Sequence, residues 1–333
     1  MTLRRGSAAA VAVVAVATVA TVGIFSQLSQ DEQPAFATVD PTAAPPVPSD
    51  VRSTGGPGGE VREPVLGEIV KVTNSNPVPM PLDPHLTSMS DIKIIDQAQD
   101  VAAAMCMRSL GFTRWKADTI RTWRPEDYRE FDTFEYLDPK AAADSGYPRV
   151  PAVKTAAPDA RTGHEPTADE KSAFYGAAAR TTAGTAVPAG GCVRQADQSI
   201  YGKAGGDLPA DPRSLAVGSR SRALGDSRLR EAISAWRACM QDAGITSYQH
   251  PVAAKNDPTW QSRDAGTPAS AEEKRVAAAD ANCQLQVNLV GVYKTVRAAY
   301  EQQLLDENRA KIDESKRIFA TWVSNAKAII KAG

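Results

Sequence analysis

Two short stretches decide the fold, "CMRSLG" at residues 106–111 and "CMQDAG" at residues 239–244. Each follows a segment whose apolar residues recur at spacings of three and four, which predicts an amphipathic helix. In a Schellman ending, a glycine at C′ takes a positive φ, and the residues at C3 and C″ make an apolar contact. We therefore predict that Gly111 and Gly244 are helix C-caps, with Met107 and Met240 at C3.

The cysteines predict a cross-linked protein. The chain contains Cys106, Cys192, Cys239 and Cys283, and an even number of cysteines in an exported chain indicates disulfides. None of them forms a C-x-x-C pair, so a zinc ribbon or a thioredoxin-type site has no support. Three pairings are open. We favour Cys106–Cys192 and Cys239–Cys283, because each closes the nearest loop.

The N-terminus predicts export. Arg4 and Arg5 precede an uncharged run at residues 8–25, which as a helix would span about 27 Å, close to the thickness of the hydrocarbon core. The two arginines hold this end in the cytoplasm, so the rest of the chain is expected outside. An uncleaved anchor and a signal peptide cleaved after "AFA" at residues 35–37 both remain open.

Composition divides the chain into three parts. We assign residues 1–26 to a signal peptide or transmembrane anchor and residues 27–83 to a Pro/Gly-rich extracytoplasmic linker. Residues 84–333 form a helical extracytoplasmic domain, with 84–221 and 222–333 as candidate halves. The 333 residues are 42% hydrophobic and carry a formal charge of −1. Without a basic surface the chain is not expected to bind nucleic acid.

The C-terminal region predicts a long helix. Between Ser270 and Lys331 the chain has no proline and a single glycine, Gly291. The pattern predicts a helix of up to about 60 residues, about 90 Å long if straight, or a pair hinged near Asn308. A projecting coiled coil for a partner and a helix packed on the domain, then bent back, are both open. We favour packing, because Arg297 occupies an inward position in the apolar stripe of this helix.

The predicted fold class is mainly α, an irregular, loop-rich helical domain cross-linked by two disulfides, with a long C-terminal helix or helical hairpin.

No motif for catalysis, a cofactor or a metal stands out. The three histidines, His85, His164 and His250, are isolated and are expected in surface loops. The sequence "SNAK", from Ser324 to Lys327, matches the S-x-x-K pattern of serine hydrolases of the β-lactamase type, but the other motifs of those enzymes are missing.

Residues 115–134 are rich in aromatics around the adjacent acids Glu126 and Asp127. Because neighbours in sequence point apart, these two acids make a poor acid/base pair. We interpret the stretch as a satellite core rather than as a glycan- or peptide-binding surface. The aromatic residues are Trp115, Trp123, Tyr128, Phe131 and Phe134.

Several short stretches of this sequence resemble stretches of a known protein family and follow one another in the same order. They are "CMRSLGF", "YLDPKAAADSGYP", "TADEKSAFYG", "GGCVRQA", "AWRACMQDAG" and "EEKRVAAADANC". Over residues 81–312 the chain resembles a family of exported, secreted or membrane-anchored actinomycete proteins with no assigned function. Some members of that family lie near genes for envelope ABC exporters, so the resemblance implies an accessory role outside the membrane. Family members often begin with a lipidated cysteine, which this chain lacks.

These observations predict a non-catalytic extracytoplasmic binding or accessory module of the cell envelope. Its partner would be a cell-envelope protein, such as an ABC exporter, or a cell-wall component, with membrane attachment through the N-terminal segment. The alternative is a secreted enzyme, a hydrolase with an unrecognised site. A redox or metal protein that uses the four cysteines is the third hypothesis.

Overall fold

The computed structural model describes residues 62–117, 132–148, 166–263 and 266–333, which form helices joined by loops. No strand occurs within those ranges, and the prediction of a mainly α fold with a long C-terminal helix is confirmed. A 3-10 turn at Asp83–His85 precedes the first α-helix. The α-helices are α1 (Met89–Ser109), α2 (Pro139–Ser145), α3 (Ala168–Tyr175), α4 (Gly191–Tyr201), α5 (Pro212–Leu224), α6 (Ser227–Asp242), α7 (Pro251–Lys255), α8 (Pro258–Gln261), α9 (Ala271–Gln286) and α10 (Leu289–Ala332).

Helix α10 packs along most of its 44 residues, a length of about 66 Å. Its first turns join α6 and α9 in the largest apolar cluster, where Tyr293 is fully buried. Its middle packs on α5 through Leu305 and Ile312. Its last turns contact α1 and α4, and Trp322 meets the Tyr201 ring edge-on at 4.9 Å. The helix is therefore packed on the domain rather than projecting from it, and it does not bend back.

The break in the C-terminal helical region lies at Asn288, which has a φ of 51° and separates α9 from α10. Asparagine visits the left-handed region more readily than most residues other than glycine. The predicted hinge near Asn308 is wrong, because α10 is continuous there. Leu305 and Ile312 are buried on either side of that position and hold the charged segment as helix.

Residues 62–82 form an extended segment on α10, here called the N-terminal strap. The side-chain amide of Asn288 accepts from Val72 N–H at 3.1 Å and donates to Val70 C=O at 2.8 Å. Thr295 Oγ1 accepts from Val70 N–H at 3.1 Å. The side chains of Asn288, just before α10, and of Thr295 within it thus supply the hydrogen-bond partners that a neighbouring strand would otherwise give.

The strap corrects the predicted end of the linker at residue 83. Met80 and Leu82 are buried, and Leu82 N–H donates to Glu301 Oε2 at 3.1 Å. Gly291 leaves room for the strap, because a Cβ built there would lie 2.0 Å from Val70 C=O. Residues 62–83 therefore belong to the domain, whereas residues 1–26 and 27–61 lie outside the described ranges.

Both Cys-Met-Gly stretches end their helices with the hydrogen bonds of a Schellman motif. Phe112 N–H donates to Met107 C=O at 3.1 Å, and Ile245 N–H donates to Met240 C=O at 2.9 Å. The second bond of each motif runs from the glycine to the residue three positions earlier, at 3.1 and 2.9 Å. The glycines, Gly111 and Gly244, have φ values of 100° and 75°.

The disulfides join Cys106 to Cys192 and Cys239 to Cys283, with Cα atoms 5.5 and 5.6 Å apart, so the favoured pairing is confirmed. The first ties the last turn of α1 to the start of α4, and the second ties the last turns of α6 and α9. Chain-entropy arithmetic for closed loops of these lengths gives about 4–4.5 kcal/mol each as an upper value.

Polar side chains cap the starts of several helices. Ser88 caps α1, because its side chain accepts from Asp91 N–H. Asp226 caps α6 by accepting from Arg228 N–H. Thr167 and Glu170 form a full capping box at the start of α3.

The candidate halves 84–221 and 222–333 are not separate bodies. Helix α2, from the first half, packs on α9 from the second, and α10 packs on α1. The described residues all belong to one compact unit. Within them no helix combines the length and apolar character needed to cross a membrane, and the apolar run at residues 8–25 lies outside them.

Candidate functional site

A groove with a volume of about 570 Å³ runs beside the C-terminal half of α10. We call it the α10 groove. Its other walls are the segment from Pro84 to Asp91 and the chain at Leu208 and Pro212, where the loop before α5 meets the start of that helix. Three segments far apart in sequence therefore build it.

Hydrogen bonds to α10 and α5 hold the walls of the groove. The Arg213 guanidinium donates to Thr87 C=O at 3.2 Å, which fixes the residues before α1. Ser315 Oγ accepts from Ala210 N–H at 3.0 Å, which fixes the loop before α5. The groove is therefore a preformed feature of the packed domain.

One end of the α10 groove carries a lysine–histidine contact. Lys316 Nζ lies 2.9 Å from His85 Nδ1. A protonated lysine has donors only, so Nδ1 accepts and the ring hydrogen sits on Nε2. Burial of the ring and the charge of Lys316 lower the pKa of His85, with Arg309 acting in the same direction and Asp313 against it. At pH 7 the neutral imidazole offers an N–H donor beside an ammonium.

The rest of the groove has a mixed lining of apolar and polar side chains, with a second lysine at the far end. Phe319 and Val323 are buried in its lining. Ser324 and Lys327 follow on the same face of α10 and are exposed. Asp91 is the acidic side chain of the lining, and it accepts a hydrogen bond from Ser88 Oγ at 2.8 Å. With His85 neutral, the lining contains two lysines and one aspartate, so its positive charges outnumber its negative ones.

A buried ionic network on the first half of α10 has a structural role. Asp132 accepts from Tyr293 Oη at 2.9 Å and from Arg297 at 2.6 Å, and it also pairs with Lys294. Burial alone would raise the pKa of Asp132, but the two cations outweigh it and the pKa lies below its usual value. Arg297 also donates to Glu301 at 2.9 Å. Burial raises the pKa of Glu301 despite this contact. The network joins α10 to the segment before α2 and to the strap.

Asp280 is the described carboxyl group whose pKa is raised most clearly. It accepts from Trp236 Nε1 at 2.8 Å, Tyr147 Oη at 2.9 Å and Gln284 Nε2 at 2.8 Å. Burial raises its pKa to about 6, and the three donors oppose that shift. A perturbed carboxyl can mark an active site, but the donors here are side chains of the core, so Asp280 acts within the packing of α2, α6 and α9.

The histidines that the structure describes lie in different surroundings. His85 lines the α10 groove, His164 lies outside the described residues, and His250 caps α7 by accepting from Val252 N–H at 3.1 Å. The expectation of surface-loop histidines is therefore wrong for His250, which is partly buried and has a pKa lowered by that burial.

Two members of the aromatic stretch belong to apolar clusters, Trp115 to a smaller one with Phe174 and Phe134 to the largest one, so Phe134 is part of the main core and not of a satellite. Trp115 stacks on Phe174 at 5.2 Å, and Phe134 meets Tyr293 edge-on at 5.2 Å. The other residues singled out there, Trp123, Glu126, Asp127, Tyr128 and Phe131, lie outside the described ranges.

The sequence pattern missed the α10 groove. Ser324 and Lys327 drew attention only as a letter match, whereas Lys316 and Phe319 read as part of a helical face. The available signal was the alternation of lysine, apolar pair and lysine along one face from 316 to 327. Within the described ranges no group of three or more His, Cys, Asp or Glu side chains could hold a metal ion.

No protein-family model matches the chain, and no curated protein or solved structure is significantly similar to it.

Proposed function

We propose that this protein is a non-catalytic binding or accessory module of the cell envelope and that it binds its ligand in the α10 groove. The observation that carries the proposal is the groove itself, a preformed concavity of about 570 Å³ lined by both apolar and polar side chains. Ligand sites in proteins have this size.

The disulfides are compatible with a location outside the cytoplasm, since such bonds persist in oxidising compartments. The proposal includes export through the segment at residues 1–26, either kept as a membrane anchor or cleaved as a signal peptide. The resemblance described above favours an envelope protein, such as an ABC exporter, or a cell-wall component as the surroundings in which the groove works.

Site-specific photo-cross-linking in the native host tests the binding function. A photoreactive residue replaces Ala320, which lines the groove, or Ala328, which does not; both are exposed alanines of α10. We expect one recurrent adduct from position 320 and none from position 328. Equal yields at both positions, or no adduct at position 320, would refute the proposal.

The hydrolase alternative has one observation in its favour, because Ser324, Lys327 and His85 all line the groove. It predicts turnover of simple ester or amide substrates that Ser324→Ala abolishes. We expect no such turnover. Activity that disappears in this variant, with unchanged thermal unfolding, would replace the binding proposal by the hydrolase.

A further inference from the structure

We infer that the α10 groove binds the free carboxylate form of a medium-chain aliphatic acid. Its carboxylate would lie at Lys316 and His85, and its alkyl chain would lie along Phe319 and Val323. The inference rests on the proposed binding function, and it names the class of ligand.

The length of the groove sets the length of the chain. Lys316 and Lys327 lie three turns apart on α10, which is about 16 Å along the helix axis. Each tetrahedral C–C bond of about 1.5 Å advances an extended chain by about 1.3 Å, so about twelve carbons fill this span. The apolar lining of α10 within this span is Phe319, Ala320 and Val323, over which the first half of such a chain would lie, and its end would pass Ser324 and Lys327.

The charge distribution sets the head group and its position. Lys316 contributes an ammonium, and His85, whose Nδ1 accepts from it at 2.9 Å, keeps an Nε2–H donor. The Lys316 ammonium would be the main donor to the carboxylate, because the Nε2–H of an imidazole points away from a partner held at Nδ1. At the other end Lys327 has no histidine beside it among the described contacts. A cationic amphiphile would place its charge beside Lys316 and would be repelled.

The apolar floor supplies affinity that a small anion alone could not gain. Phe319 and Val323 are almost fully buried by their neighbours but still border the groove. An alkyl chain laid on them removes further apolar surface from water, worth about 25 cal/mol per Å². A carboxylate without a chain would have only the exposed charge of Lys316 to hold it, and exposed ion pairs are weak.

The test uses the full-length chain in one lipid preparation for every variant, with a diazirine analogue of dodecanoate as the probe. Labelled peptides are quantified by mass spectrometry. Ala320→Glu places a carboxylate one turn from Lys316, and Ala328→Glu is its matched control outside the groove. Lys316→Ala removes the ammonium, and Lys311→Ala, at another exposed lysine of α10, is its control.

We expect labelling in the segment 315–327 that dodecanoate displaces and dodecylammonium does not. Ala320→Glu and Lys316→Ala should each lower this labelling about tenfold, as expected for loss of a charge-assisted hydrogen bond. The two controls should stay within about twofold of the unmodified chain, because neither changes the lining.

Three results would overturn the ligand class. They are equal labelling in Ala320→Glu and Ala328→Glu, competition by dodecylammonium as strong as by dodecanoate, and stronger competition by phosphatidylglycerol, which would indicate a lipid head group. The two experiments can also disagree. If the probe does not label the groove, but the photoreactive residue at position 320 still captures one adduct in the host, the aliphatic acid is refuted and the binding function stands. Failure of both experiments would refute both.

Discussion

At the scale of single residues, Asp280 shows how one buried carboxyl group makes stability depend on pH. Its side chain is almost wholly buried, and its three donors come from α2's neighbour Tyr147, from α6 and from α9 itself. Burial raises the pKa of Asp280 to about 6, whereas an aspartate in an unfolded chain has a pKa near 3.9. The folded state therefore binds this proton more tightly than the unfolded state does.

The sign of the pH dependence follows from linkage. Because the folded-state pKa is the higher one, the contribution of Asp280 to stability is largest below pH 4 and falls between pH 4 and pH 6, by about 3 kcal/mol at most. Asparagine does not titrate. We expect the stability of Asp280→Asn, relative to the unmodified protein, to improve on going from pH 4 to pH 7.

Urea unfolding at pH 4 and pH 7 measures this difference. Asp242→Asn, at an exposed aspartate of α6, controls for the loss of a carboxylate as such. A stability difference between Asp280→Asn and the unmodified protein that is the same at both pH values would show that Asp280 does not carry the shifted titration.

At the scale of elements, contact between the strap and α10 depends on one glycine. A Cβ at Gly291 would lie 2.0 Å from Val70 C=O and 2.4 Å from Asn288 Oδ1, so the strap must move to admit it. We expect Gly291→Ala to lower the free energy of unfolding by about 1–3 kcal/mol, as overpacking does.

Gly218 gives the matched control on α5. It lies inside the helix, and a Cβ there would meet nothing within 4 Å. We expect Gly218→Ala to raise the free energy of unfolding by about 0.5–1 kcal/mol, since glycine is a poor helix former. Urea unfolding of both variants decides the matter; two changes of the same sign would contradict the steric account of Gly291.

The same helices show how far local sequence predicts this fold. The C-caps at Gly111 and Gly244 could be predicted because a Schellman ending involves residues that are close in sequence. The position of the α9–α10 break could not. The charged segment around residue 308 looks like a hinge until α5 covers Leu305 and Ile312, whereas the real break depends on the backbone of Asn288.

The α10 groove was beyond prediction for a related reason. Its lining joins residues around 85, 208 and 319, and only the tertiary packing of α1, α5 and α10 brings them together. Sequence spacing shows which residues share a helix face, but it does not show which loop comes to lie opposite that face. Lys316 is an ordinary exposed lysine until His85 is placed beside it.

At the scale of the whole molecule, α10 is common to two cross-linked groups of helices. One disulfide joins α1 to α4 near the C-terminal half of α10, and the other joins α6 to α9 near the start of α10. Each helix pair therefore keeps its geometry through a covalent bond, and α10 joins the pairs by apolar packing. This arrangement is compatible with folding in an oxidising compartment.

Intact-mass spectrometry of the protein from its native host measures the state of the cysteines. Alkylation of the denatured chain without reduction should add no label, and alkylation after reduction should add four, because all four cysteines are paired. Labels added without reduction would show free thiols and bring the redox or metal hypothesis forward. The same mass distinguishes a retained N-terminal anchor from a cleaved signal peptide.

The strap also determines how the molecule would respond to mechanical load. In a chain pulled from its N-terminus, tension reaches the contact of Glu63 with Ser227 first, then the bonds to Asn288 and finally the one at Glu301. Each can yield in turn while the helices behind it stay folded. The freed strap of residues 62–82 is about 70 Å long when extended, a reach gained with every helix still folded. Extension beyond it would have to unfold α1, and it would end at Cys106, where the covalent link to α4 takes up the force.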